Sequence, residues 1–163
     1  MVRFCIFAGM LFMSLVFSGC SNDDKYLFTR ISEKSSGVNF RNTLFEDGPL
    51  NVANYIYFYN GGGVAIGDIN NDGLQDIFFT GNMVRNRLYL NKGNFKFEDR
   101  TPRAGVAEKQ GWCTGATMAD VNGDGKLDIY ICRSADVNPD LRKNLLFINN
   151  GDLTFTERGD EFG

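Results

Sequence analysis

Apolar residues in this chain come in short runs, separated by stretches rich in Gly, Asn and Asp. Val64-Ala65-Ile66 is followed by Ile77-Phe78-Phe79 and then by Leu88-Tyr89-Leu90. Further on, Ala116-Thr117-Met118, Ile129-Tyr130-Ile131-Cys132 and Leu146-Phe147-Ile148 follow in the same order. Short β-prone runs bounded by turn residues predict strands. Asn91-Lys92-Gly93 and Asn149-Asn150-Gly151 each sit between two such runs, a hairpin signal. Each unit therefore reads strand, loop, strand, loop, strand, tight turn, strand.

The two units repeat one another. Asp68-x-Asn70-x-Asp72-Gly73-x-x-Asp76 recurs as Asp120-x-Asn122-x-Asp124-Gly125-x-x-Asp128, 52 positions on. Leu88 to Phe97 matches Leu146 to Phe155 at an offset of 58, which places the insertion within Ser134 to Leu141. Four antiparallel strands repeated at a period of roughly 50 residues predict blades of a β-propeller. The strands span 62–99 and 112–157, within repeat units 62–107 and 108–163. A partial copy precedes them: Phe28, Ser32 and Gly37-Val38 follow the order of Phe97, Thr101 and Gly105-Val106. The expected fold is all-β: a partial propeller of two four-stranded blades plus one stray N-terminal outer strand at Phe28, with residues 28–61 holding that strand and its connection, 41–61, to the first blade. The aromatics of 54–60 are expected to pack, with the lining of a binding face by part of them as the alternative. Gly163 would be the counterpart of Gly105. Propellers use about 4–8 blades, so the chain is expected to be part of a longer protein, with self-assembly into a ring as the lesser alternative.

The repeated loops carry the chemistry. Oxygen side chains stand at positions one, three, five and nine: Asp68, Asn70, Asp72 and Asp76, then Asp120, Asn122, Asp124 and Asp128. Calcium takes about 6–8 oxygen ligands, and the carbonyls of Leu74 and Lys126 at position seven are the expected backbone donors. Gly73 and Gly125 permit the sharp turn. Three carboxylates in nine residues would repel one another without a cation. A plain hairpin turn would explain the Asn, Asp and Gly residues but not the acids at both ends. Position twelve is Phe79 or Ile131 rather than Glu, and the flanks read as strands, so neither loop is an EF-hand. Magnesium demands stricter octahedral geometry. The chain has no His and neither loop has a Cys, which disfavours transition metals. One calcium ion per loop is the expected cofactor.

Charge and composition narrow the function. The net charge is −3, so no polycation is offered to nucleic acid. Without His, the usual general base near neutral pH is missing. The expectation is a non-enzyme. Arg3 followed by the apolar run Phe4 to Phe17 is too short to span a membrane and predicts a signal peptide over 1–19. Ser18-Gly19-Cys20 looks like a bacterial lipobox, with Phe17 where Leu is usual, and predicts lipidation at Cys20 and membrane attachment; residues 20–27 would form the anchor and linker. A soluble secreted protein cut near the same point is the alternative. Ser21-Asn22-Asp23-Asp24 resembles the acidic export signal of surface lipoproteins, which implies the outer membrane and its exposed face. Cys132 is expected to lie opposite a residue near Ala116, not Cys113, so both cysteines read as small buried hydrophobes.

Gly61 to Ile77, with the second Asp-rich loop, resembles an FG-GAP/VCBS repeat, as in the integrin α-subunit propeller. Leu88-Tyr89-Leu90-Asn91-Lys92-Gly93, Phe97-Glu98-Asp99-x-Thr101 and Ala104-Gly105-Val106 extend the likeness to the N-terminal part of CRTAC1-like, ASPIC/UnbV-type bacterial lipoproteins. The resemblance implies a propeller of about seven blades with calcium at the blade hairpins. It fixes no activity, since fold alone does not. The reading is a surface-anchored, calcium-stabilised segment with a binding or adhesion role toward a protein or glycan. The alternative is a propeller-based carbohydrate-active enzyme or its accessory module.

Overall fold

The computed structural model describes residues 27–46, 48, 50–107, 111–134 and 138–162. The signal peptide, Cys20 and the acidic stretch after it lie outside the described residues, as does Gly163. Residues 1–30 and 31–163 form two separate units, and every described strand belongs to the second.

Eight strands make two four-stranded antiparallel sheets in sequential order. The first holds β1 (Val64–Gly67), β2 (Asp76–Phe79), β3 (Arg87–Asn91) and β4 (Phe97–Asp99). The second holds β5 (Trp112–Ala119), β6 (Asp128–Ser134), β7 (Leu145–Asn149) and β8 (Phe155–Glu157). These are the two expected blades. The inserted segment ends in a 3-10 turn over Pro139–Arg142, with 135–137 outside the described residues.

Strand alternation explains the core. Side chains two apart share a face, so Ala65, Phe78, Leu88 and Leu90 of the first sheet join one buried cluster with Ile129, Ile131, Leu145 and Phe147 of the second. Ala65 pairs with Phe78, and Phe78 with Leu88. Ile129 pairs with Met118 and Phe147. The opposite face of β1 is open: Val64 is 53% and Ile66 62% exposed. Phe40 covers part of that face, stacked on Phe79 with ring centroids 4.9 Å apart. Within 54–60 the expected packing holds for part of the cluster. Tyr55 and Phe58 meet Trp112 at 5.5 and 5.2 Å, while Ile56, Tyr57 and Tyr59 are exposed.

A one-turn helix follows each outer strand: α2 (Thr101–Ala104) after β4 and α3 (Gly159–Phe162) after β8. The partial N-terminal copy forms the same turn. There α1 (Glu33–Ser36) is capped by the Ser32 hydroxyl, which accepts from Ser35 N at 3.1 Å. Gly37 and Gly105 close α1 and α2 in the left-handed region, at φ 80° and 78°. Each also touches the outer strand of the blade that comes next. A Cβ on Gly37 would lie 2.5 Å from the Phe97 carbonyl, and one on Gly105 would lie 3.2 Å from that of Phe155. The exit turn of one unit thus seats on the outer strand of the next.

Two expectations need correction. Phe28 belongs to no strand; the described residues 27–30 are bends and irregular chain. A strand needs a ladder partner, and the first described strand, β1, pairs with β2 alone. Cys132 is exposed rather than buried. It stands opposite Gly115, one place from Ala116, because the ladder shifts between Cys113 and Gly115. It therefore shares the outward face with Tyr130, alternate to the inward Ile129 and Ile131. Cys113 is buried, as expected, and lies opposite Arg133.

Candidate metal centre

The first Asp-rich loop joins β1 to β2, and the second joins β5 to β6. Gly67 pairs with Asp76, and Ala119 with Asp128, so each position-nine acid closes the ladder at the base of its loop. The tips are exposed, while Asp76 and Asp128 are wholly buried. Gly73 and Gly125 sit at φ 85° and 82°, as the turn requires.

Within the first loop, Asp68 accepts from Asp72 N at 3.0 Å and Gly73 N at 2.8 Å. Asn70 Oδ1 accepts from Asp72 N at 3.2 Å, and Asp72 Oδ1 from Leu74 N at 2.9 Å. The second loop repeats the set. Asp120 accepts from Gly123, Asp124 and Gly125 N at 2.7, 3.1 and 2.9 Å. Asn122 Oδ1 accepts from Asp124 N, and Asp124 Oδ1 from Lys126 N, both at 2.9 Å. All ten sequence-predicted residues therefore lie in two matching folded loops.

Asp76 and Asp128 have a role that the sequence pattern did not reveal. Asp76 Oδ2 accepts from Ile69 N at 2.9 Å and Oδ1 from Asn91 N at 2.8 Å. Asp128 Oδ2 accepts from Val121 N at 3.0 Å and Oδ1 from Asn149 N at 2.8 Å. Each acid staples its own loop to the β3–β4 or β7–β8 turn. Burial first, and then the charges of Asp72 and Asp68, push the Asp76 carboxyl above its ordinary 3.8, against the pull of the Asn91 and Ile69 amides.

Asn91 and Asn149, expected as turn residues, extend the staple. Asn91 Nδ2 donates to the Gln75 carbonyl at 2.9 Å. Asn149 Nδ2 donates to the matching Leu127 carbonyl at 3.1 Å and also to Ile69 O of the first blade at 2.9 Å. Asn71 Nδ2 donates across to Gly125 O at 3.0 Å. A cavity of about 420 Å³ lies along this seam, lined by Asn70, Asn71, Lys126, Asn149 and Asp152 among others.

Among the described residues, no three His, Cys, Asp or Glu side chains already stand gathered around a point that would hold a metal. The donor set nevertheless fits a hard cation. An ionised carboxylate has about four lone-pair sites, so Asp76 and Asp128 can take further partners beyond their two amides. Asp68 and Asp72 bear on Asp76 closely enough to raise it, and a divalent ion would relieve that repulsion.

Two four-stranded antiparallel meanders thus each carry an Asp-rich loop in their first hairpin. Residues 68–131, from Asp68 of the first loop to Ile131 beyond the second, match the family model described as an FG-GAP-like repeat. The chain is also similar to cartilage acidic protein 1. It is 40% identical to the Xenopus tropicalis protein over 72 residues, which is 44% of this chain and 11% of that one. It is 39% identical to the Mus musculus protein over 69 residues, 42% of this chain and 11% of that one. It is 39% identical to the Homo sapiens protein over 72 residues, again 44% and 11%. The match thus covers about a ninth of these relatives' length.

Proposed function

We propose that this FG-GAP-like segment is a calcium-stabilised part of a β-propeller, held at the bacterial outer membrane through a lipid on Cys20. Its role is binding or adhesion toward a protein or glycan at the cell surface, not catalysis. The observation that carries the calcium reading is the doubled loop, in which Asp, Asn, Asp and Asp oxygens stand at the same four positions of two folded turns. In each loop the position-one, -three, -five and -nine side chains, with the Leu74 or Lys126 carbonyl, would hold one ion. Bound calcium would neutralise the loop acids and fix the inner hairpin. The membrane reading is supported by the Ser18-Gly19-Cys20 sequence after an apolar run.

Ligand that binds the folded state alone stabilises by about 2.7 kcal/mol per site at a hundredfold excess over Kd. Two sites are expected to raise the melting temperature on the order of ten degrees. Calorimetry of the chain in excess calcium and in EDTA measures this, and equal melting temperatures would overturn the calcium reading. The gain should also depend on pH. Because the folded-state pKa of Asp76 is raised above 3.8, its favourable contribution to the ion-free fold is complete below 3.8 and is lost as pH rises through the folded value. Calcium requires the ionised form. The stabilisation by calcium should therefore be smaller near pH 4 than at pH 7.

A further inference from the structure

The two loops differ in what faces the position-five acid. In the first, Asp72 Oδ2 accepts from the neutral Asn70 amide at 2.9 Å. In the second, the Asn122 amide likewise faces the Asp124 carboxyl, and Asp124 Oδ2 also accepts from the Lys126 ammonium at 3.1 Å. Leu74 stands where Lys126 does, so the first loop has no counterpart to this ion pair. The Lys126 stem also has a close neighbour in its own blade. It lies over Gly151 in the β7–β8 turn, where a Cβ would come 2.8 Å from Lys126 Cε. Gly93, the matching residue of the first blade, has nothing within 4 Å of that position.

We infer that Lys126 is a built-in competitor for the cation, so that the two loops bind calcium unequally, the first more tightly. This rests on the calcium reading proposed above. In the first loop the partner of Asp72 is neutral, so no like charge stands beside an arriving cation. In the second loop an arriving ion must displace the ammonium from Asp124 or sit beside a like charge. For an exposed pair in water, that penalty corresponds to about three- to tenfold in affinity.

The test is calcium titration calorimetry on the full chain with one loop silenced at a time. Asp120→Asn leaves the first loop and Asp68→Asn leaves the second. The second loop should bind about three- to tenfold more weakly, and the gap should narrow at high salt, where exposed charges are screened. Adding Lys126→Gln to Asp68→Asn should recover most of the gap. Adding Leu74→Lys to Asp120→Asn should weaken the first loop, and it decides the matter alone if the Lys126 variant does not fold. Equal affinities, or binding indifferent to both substitutions, overturn the inference while leaving the calcium reading intact. Heat from neither loop overturns both.

Discussion

Asp128→Ala is expected to lose about 3–5 kcal/mol of stability, a large part of the roughly 5–15 kcal/mol that holds a domain together. Asp128 is 0% exposed. Its oxygens accept from Val121 N at 3.0 Å and Asn149 N at 2.8 Å. Hydrogen bonds to a charged group are worth about 1.5–3 kcal/mol each, and the substitution strands both donors beside a void. Asp128→Asn should be nearly as damaging, because its amide can present one oxygen and must face the other N–H with a donor. Urea unfolding measures the loss. It should persist in EDTA, since the staple needs no ion. A loss below about 1 kcal/mol in EDTA would mean that Asp128 acts through the metal alone.

Phe78→Ala is expected to cost about 3–5 kcal/mol. Phe78 is 0% exposed on β2 and shares the buried cluster with Leu88, Ile129 and Ile131. Its removal opens a void in the cluster that the two sheets share. Phe78→Leu should cost less, since more of the volume remains. Phe95→Ala, at a residue 69% exposed, should shift stability by no more than about 0.5 kcal/mol. Comparable midpoints for Phe78→Ala and Phe95→Ala would contradict face-to-face packing of the sheets.

The blades are legible in the sequence because their signals are local and occur twice. Alternation in Ile129-Tyr130-Ile131 and the Asn-x-Gly turns needs no knowledge of distant partners. The strand expected at Phe28 fails for the opposite reason. Its resemblance to Phe97 is real in the turn beyond it, where Gly37 and Gly105 do the same job, but a strand exists only if another strand lies beside it. The outward place of Cys132 is implied by the same alternation that puts Ile129 and Ile131 inward.

At the loops, the residue types announce oxygen chemistry, and the structure places them on two turns with matching backbone hydrogen bonds. The dual role of Asp76 and Asp128 is hidden in the sequence because their second partners, Asn91 and Asn149, lie 15 and 21 residues away. The bond from Asn149 to Ile69 O spans 80 residues. The recurrence of an Asn at the matching place in both units is the available signal. It points first to turn chemistry, which also holds: Asn91 and Asn149 accept from Gly93 N and Gly151 N at 2.8 and 2.9 Å.

Whether each Asp-rich loop holds one calcium ion at the inner hairpin of its blade is tested most directly by calcium titration calorimetry of the intact chain. Two ions per chain are expected, falling to one in Asp68→Asn or in Asp120→Asn and to none in the double variant. A titration of the unaltered chain that matches the double variant would contradict the proposed calcium role.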